Sequence, residues 1–168
     1  MAHRTGVTTY ATPSDREITI TRVFDTPRRL VWQCWTSCEH LPHWMLGPDG
    51  WTMPICEIDL RPGGAHRSVW RNADGTEMEI KGVYQEVSPP ERLVYTESWG
   101  RDWPETTDTL TFIEHDGRTT ATLTMRFPSK QARDAALETG RQEGMNQSFG
   151  RLDAYLRMTA EASGAENR

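Results

Sequence analysis

Hydrophobic and polar residues alternate along most of this chain, with the period of two that is typical of half-buried β-strands. In the segment REITITRVF, Ile18 and Ile20 are each flanked by polar residues. Later segments are separated by clusters of Gly, Pro, Asn and Asp, as expected of tight turns. The pattern predicts one strand from Arg16 and six further strands at residues 51–60, 65–71, 77–87, 92–99, 106–114 and 119–127.

Helical periodicity appears on both sides of these six strands. Pro27 suits the first turn of a helix, and the apolar residues after it recur at helical spacing. A short helix is therefore predicted there, with a second short helix at residues 37–46. From Ser129 to about Met158 the apolar residues keep to one stripe, which predicts a single long C-terminal helix.

The whole pattern fits one domain. A chain of 168 residues is of ordinary single-domain size, and it contains no internal repeat or linker. Residues 16–158 are predicted to form the domain, with 1–15 as a flexible leader and 159–168 as a frayed tail.

The order of elements predicts an α+β fold. One long helix is available to cover one face of a seven-stranded, curved antiparallel sheet, and two short helices lie between the first and second strands. A sheet curved around one helix closes incompletely, so we expect a cavity between helix and sheet. Seven tryptophans and seven methionines suit an adaptable apolar lining.

Charge and composition narrow the classes of partner. A net charge of −5 argues against nucleic acid, which binds concentrated Lys and Arg. No apolar run is long enough for a membrane helix, and Met1 to Arg16 lacks a secretion signal, so a cytoplasmic protein is expected. The odd set Cys34, Cys38 and Cys56 suggests free thiols in a reducing compartment.

Four segments carry a resemblance to a known family. They are FDTPRRLVWQCWTSCEHLPHWM, CEIDLRPGGAHRSVWR, GVYQEVSPPERLVYTESW and EGMNQSFGRLDAYL, in that order. The chain resembles the activator of heat-shock-protein-90 ATPase homologues, within the START-like (SRPBCC) superfamily. The resemblance implies a helix-grip fold with a hydrophobic pocket, in a group that contains binding proteins, co-chaperones and occasional enzymes.

Candidate ligand-binding residues follow from the alternation, because neighbours on a strand face opposite sides. Arg67 and Arg71 belong on the solvent side, which places the alternate residues of that strand inward. The simpler interpretation is core packing for the aromatic residues, the methionines and His66, and pairing with a neighbouring strand for Glu97. The predicted lining consists of Trp44, Met53, His66, Trp70, Tyr95, Glu97, Trp99, Trp103, Met125, Met145 and Phe149.

Catalytic chemistry has few candidates. If the protein is an enzyme, His66 and Glu97 are the inward-facing residues able to act as acid and base. The common nucleophile and phosphate-binding motifs are absent from the sequence, and no cofactor is expected. No metal site is predicted either, because the Cys34, Cys38, His40 and His43 spacing matches no zinc motif.

Three functions compete. The preferred one is a binding protein that holds an apolar, aromatic or lipid-like molecule in the cavity, without catalysis. The alternatives are a co-chaperone-like module of the stress response that stimulates a heat-shock ATPase, and a cyclase or hydrolase using the same pocket. A homodimer is among the partners considered.

Overall fold

The structure, a computed structural model, describes residues 5–166 and is an α+β domain. The helical elements are α1 (Arg28–Thr36), a 3-10 turn (Leu41–His43), α2 (Lys130–Leu137) and α3 (Arg141–Glu166). The strands are β1 (Thr8–Ala11), β2 (Glu17–Phe24), β3 (Trp51–Ile58), β4 (Ala65–Asn72), β5 (Glu77–Ser88), β6 (Arg92–Glu97), β7 (Thr106–His115) and β8 (Arg118–Arg126).

All strands belong to one antiparallel sheet in the order β1-β2-β8-β7-β6-β5-β4-β3. Strands β3 to β8 form the predicted meander, and β2 pairs with β8. This arrangement, with a C-terminal helix against the curved sheet, confirms the helix-grip architecture.

The sheet has eight strands among residues 5–166, so the prediction of seven was wrong. The additional strand is β1, whose Thr9 pairs with Thr21 at the free edge of β2. A polar strand of four residues has no hydrophobic alternation, so the pattern did not reveal it. Strand β1 lies within the predicted leader, and the domain boundary at residue 16 stays a prediction.

The predicted single C-terminal helix is two helices. Ser129 caps α2 by accepting a hydrogen bond from the Ala132 amide, and α2 ends at Leu137. Gly140 has a φ of 75°, a left-handed conformation that ends one helix before the next begins. Helix α3 then continues to Glu166, beyond the predicted end near Met158.

The core lies between the sheet and α3. Leu110 and Phe112 of β7 face Leu152 and Phe149 of α3, and all four side chains are almost completely buried. Trp35 of α1 contacts Phe112 and Phe149 at ring-centroid distances of 5.6 Å in both cases. The interior is therefore filled by packed aromatic rings at this end of the domain.

The predicted second short helix is reduced to the 3-10 turn Leu41–His43. Just before it, Cys38 forms a disulfide with Cys56 of β3. The prediction of three free thiols was therefore wrong, although Cys34 is free and buried. The cysteine content consequently no longer argues for a reducing compartment.

None of the helices within the described chain is both long and apolar enough to span a lipid bilayer.

Candidate functional site

The candidate site is a polar cluster on the inner face of β6 and β7, where β6 ends. Tyr95 and Glu97 are two residues apart on β6 and share a face. Tyr95 is opposite Asp108 on β7, and Glu97 is opposite Thr106. The antiparallel register therefore places two carboxyl groups close together on a face that is otherwise apolar.

Asp108 has the least accessible carboxyl group of this cluster. The residue is 0% exposed. Its Oδ1 accepts a hydrogen bond of 2.7 Å from the hydroxyl of Thr106. Its Oδ2 is buried and has no hydrogen-bond partner among residues 5–166. Buried polar atoms are normally paired, and the Glu97 side chain beside Asp108 forms a hydrogen bond with it when one of the two carboxyl groups carries a proton.

Burial raises the pKa of Asp108 well above its ordinary value, and Glu97 raises it further through its negative charge and through a side-chain hydrogen bond with Asp108. The hydrogen bond from Thr106 and the positive charge of Arg141 act in the opposite direction. The net effect is a raised pKa, which extends the pH range over which Asp108 is protonated. A carboxyl group in this state can donate a hydrogen bond, and chemically it can serve as an acid.

Arg141 and two tryptophans border the cluster. The guanidinium carbon of Arg141, in the first turn of α3, lies 4.2 Å from the centroid of the Trp99 ring. Trp99 also stacks on Trp70 at 6.0 Å, with the rings nearly parallel. Trp99 Nε1 donates a 2.5 Å hydrogen bond to Glu97 Oε1. Burial lowers the pKa of Arg141, whereas Glu97 and Asp108 raise it.

A second aromatic group adjoins Tyr95. The ring of His66 lies 5.2 Å from that of Tyr84 and 5.4 Å from that of Tyr95. His66 Nε2 is 2.9 Å from the carbonyl oxygen of Thr96, which can only accept, so this nitrogen carries the proton. Burial raises the pKa of Tyr84 to about 12. Desolvation also raises the pKa of Tyr95, with further contributions from Asp108 and Glu97.

Gly82 allows this close contact between strands. A Cβ atom at Gly82 would lie 1.8 Å from the Thr96 carbonyl oxygen and 2.7 Å from His66 Nε2. Any larger residue would therefore displace both groups.

The other predicted lining residues are distributed along the interior. Met125 of β8 is opposite Asp108, and Met145 of α3 is half-buried against the core. Trp103 lies on the loop between β6 and β7 and is 38% exposed. Trp44, Met53 and Phe149 are buried in the core, where Trp44 Nε1 donates to the Cys34 carbonyl oxygen and its ring stacks on Phe149.

The structure brings together six of the predicted residues around the polar cluster or its aromatic border: His66, Trp70, Tyr95, Glu97, Trp99 and Met125.

Sequence reasoning missed Asp108 and Arg141. The signal for Asp108 was present, because it shares the period-two face of Leu110 and Phe112, and an acid on such a face is unusual. Arg141 gave no comparable signal. Its position depends on the break between α2 and α3, which the sequence pattern did not show.

A separate shallow depression of about 440 Å³ lies on α2 and contains none of the predicted lining residues. It is lined by Lys130, Gln131, Asp134, Ala135 and Glu138.

The curved antiparallel sheet and the C-terminal helix define a START-like helix-grip fold. The profile of the family described as activator of Hsp90 ATPase homolog 1-like protein matches residues 25–157. The chain belongs to this family, which confirms the resemblance found in its sequence. No curated protein sequence matches the chain significantly.

Solved structures with the same fold come from several bacteria. A Rhodobacter sphaeroides protein is 26% identical, with a TM-score of 0.84, and the alignment covers 90% of this chain and 99% of that one. A Mycobacterium smegmatis protein is 27% identical, with a TM-score of 0.79 and coverage of 89% and 97%. The AHSA1 protein of Silicibacter pomeroyi is 22% identical, with a TM-score of 0.70 and coverage of 85% and 99%, and shows similarity of fold alone.

Proposed function

We propose that this protein binds an apolar small molecule between the inner face of the sheet and the first turns of α3, with Asp108 and Glu97 among the polar groups of the site. The observation that carries the proposal is the Asp108–Glu97 carboxyl pair on the inner face, where Asp108 is 0% exposed and Trp99 and Arg141 lie beside the pair. A few polar groups among apolar walls can fix the orientation of a ligand.

The residues around Asp108 support an apolar ligand. Tyr95 and Met125 are its neighbours across the sheet, and Trp99 with Arg141 borders the cluster. Aromatic rings offer large contact areas, and a thioether adapts to irregular shapes. Ligand recognition by mostly apolar walls with a few polar groups is typical of small-molecule sites.

The packing of the core supports this location. The Trp44–Phe149 end of the interior is filled by stacked rings, which favours the end of the sheet near Glu97 and Asp108 as the proposed binding region. Met145 lies one helical turn after Arg141, on the same side of α3, and is half-buried. We therefore assign Met145 to the wall of the site and the filled end to the core.

A thermal-shift experiment tests this proposal with two neutral probes, 1-(2-naphthyl)ethanone and 2-isopropylnaphthalene. At 100 times its Kd, a probe is expected to stabilise the protein by about 2.7 kcal/mol, which raises Tm by roughly 5–10 °C. Met145→Trp is expected to occupy the site and abolish the shift. Ile113→Trp is the control, because Ile113 is 65% exposed.

Both variants must show cooperative melting without probe, which establishes that they fold. An unchanged shift in Met145→Trp would contradict the proposed location. Absence of any probe-induced shift in the unmodified protein would contradict the proposed function. Native mass spectrometry of the freshly purified protein adds two readouts, the mass of a retained ligand and the number of subunits.

The family description favours a second candidate function, stimulation of a heat-shock ATPase, because it names activators of the Hsp90 ATPase. This function calls for a protein partner and for residence in the cytoplasm during stress. Pull-down of the heat-shock ATPase by this protein, with an increased rate of ATP hydrolysis, would support it. An unchanged hydrolysis rate at saturating protein would exclude stimulation.

A further inference from the structure

Arg141 carries a charged group whose hydrogen-bond donors are unused within the described chain. It is the first residue of α3 and is half-buried, with its guanidinium carbon 4.2 Å from the centroid of the Trp99 ring. The carboxyl groups of Glu97 and Asp108 act on it through their charge, and neither forms a hydrogen bond with it. A guanidinium stays charged at neutral pH and offers several N–H donors in a planar fork.

The unused donors are accessible from solvent. Among residues 5–166, the side-chain nitrogens that are buried without a partner belong to Arg22 and Arg151. The nitrogens of Arg141 are not in this group, so they reach the surface. The Trp99 ring covers one face of the guanidinium, which leaves the edges with the N–H groups open. An arginine in this state can bind a carboxylate through a pair of parallel hydrogen bonds.

The inner face of the sheet is uncovered beside this guanidinium. Met78 of β5 is directly opposite Trp70 of β4, so both side chains lie on the same face. Met78 is nevertheless 42% exposed, whereas Ile80, the next residue on that face of β5, is only 9% exposed. Trp70 and Trp99 are half-buried and stack at 6.0 Å. An apolar surface therefore reaches solvent at the corner of the sheet where Arg141 lies.

We propose that Arg141 binds the carboxylate of an apolar acid, whose hydrocarbon part lies against Trp99, Trp70 and Met78. The inference rests on the proposed function and names its ligand class, aromatic or lipid-like carboxylates. Charge-assisted hydrogen bonds to the guanidinium hold the polar end, and the rings hold the apolar end. The acids Glu97 and Asp108 favour ligands with a single negative charge, because they repel a second one.

Calorimetric titration at neutral pH with two matched probes tests the inference. Naphthalene-2-carboxylate and 1-(2-naphthyl)ethanone have nearly the same shape, but the first has a charged oxygen where the second has a methyl group. The carboxylate is expected to bind about tenfold more tightly, the effect of charge-assisted hydrogen bonds to a partly buried donor. Added salt should weaken the binding of the carboxylate and leave that of the ketone unchanged.

Substitutions at Arg141 separate charge from shape. Arg141→Met keeps an unbranched apolar stem and should remove the preference for the carboxylate, while the ketone still binds. Arg141→Lys keeps the charge and loses the paired donors, so an intermediate preference is expected. Arg157→Met is the matched control, because this arginine is on α3 and exposed. Each variant must melt cooperatively without probe, which establishes that it folds.

Chemical labelling locates the bound carboxylate without relying on affinity. Phenylglyoxal modifies accessible arginines, and peptide mass spectrometry measures the rate of modification at each one. Saturating naphthalene-2-carboxylate should slow the modification of Arg141 and leave that of Arg157 unchanged. An unchanged rate at Arg141 would overturn the inference even if the carboxylate binds.

The outcomes distinguish the two proposals. If the ketone binds and the carboxylate binds no better, the inference fails and the proposed function stands. A carboxylate preference that persists in Arg141→Met would also overturn the inference, because another group would then hold the charge. If neither probe binds, the proposed function is contradicted, and the inference falls with it.

Discussion

Most of the buried side-chain polar groups in the domain have a specific partner. The Thr119 hydroxyl donates to the Thr26 carbonyl oxygen at 2.6 Å, and Ser148 Oγ accepts from the Gly47 amide at 2.9 Å. Arg22 has an unpaired Nε, but its other nitrogens donate to Thr8 and Asp153. Asp108 differs from these residues because Oδ2 accepts no hydrogen bond from a donor within residues 5–166 and the neighbouring side chain is a second acid, Glu97.

The raised pKa of Asp108 makes stability depend on pH. Because the pKa is higher in the folded than in the unfolded state, the folded state favours the proton. The proton on Asp108 therefore adds to the free energy of unfolding. This contribution is complete below the ordinary pKa of 3.8 and is lost as pH rises through the folded-state pKa.

Asp108→Asn is therefore expected to become progressively more stable than the unmodified protein as the pH rises above about 4, since asparagine does not titrate. Urea unfolding at a series of pH values measures this difference in the free energy of unfolding. Asp116→Asn, in the exposed turn, should show no such trend. A difference that is constant across the series would contradict the assignment of a raised pKa.

Two residues show how far sequence reasoning reached at this scale. The period-two alternation places Glu97 and Trp99 on the same face. In the structure Trp99 Nε1 donates a hydrogen bond to Glu97 Oε1. The alternation could not predict that Arg141 lies beside these residues. Arg141 is far away in the sequence and contacts Trp99 because of how α3 packs. Contacts within one strand follow from its pleat, whereas contacts between elements require the register and the helix position.

At the level of elements, the strands were the most predictable feature. The predicted segment 77–87 corresponds to β5 (Glu77–Ser88), because apolar and polar residues alternate there between clear turn residues. The break between α2 and α3 was hidden, since alanines before it and larger apolar residues after it keep a similar helical stripe. Only the left-handed conformation of Gly140 makes the break visible.

Two glycines within elements are expected to respond oppositely to alanine. Gly82→Ala should destabilise the protein by about 3 kcal/mol or more, since the new Cβ would overlap the Thr96 carbonyl. Gly150→Ala, in α3, should stabilise it by about 0.5–1 kcal/mol, because no neighbouring atom lies within 4 Å of the added carbon and alanine favours the helix.

Urea unfolding of both variants measures these changes. Loss of stability in Gly150→Ala would indicate an additional contact on that face of α3. Near-neutral behaviour of Gly82→Ala would show that β5 and β6 separate easily, and would contradict the close contact at His66.

For the whole molecule, the resemblance predicted more than the pattern of residues alone. The order of elements is compatible with the α+β class, and the family resemblance specified the helix-grip arrangement, which the structure shows. The edge strand β1 and the Cys38–Cys56 bond were not predicted. Both depend on residues far apart in the sequence meeting in the folded state, and a short polar strand or a pair of cysteines does not indicate its partner.

The disulfide ties the segment between α1 and the 3-10 turn to β3. Its cysteines are 18 residues apart in sequence, and closing a loop of this size stabilises a folded protein by about 3 kcal/mol. The Cys38→Ala/Cys56→Ala double variant is expected to lose about 2–4 kcal/mol of the free energy of unfolding under non-reducing conditions. Dithiothreitol should destabilise the unmodified protein similarly and leave the double variant unchanged.

The same bond connects the fold to the candidate site. Met45 follows the 3-10 turn, and its carbonyl oxygen accepts from Trp70 Nε1 at 2.7 Å, which supports the stack of Trp70 on Trp99.

Alkylation under denaturing, non-reducing conditions should modify one thiol, that of Cys34, and modification of all three before reduction would contradict the disulfide. In the native state Cys34 should react slowly, because burial raises its pKa to about 11 and leaves little thiolate.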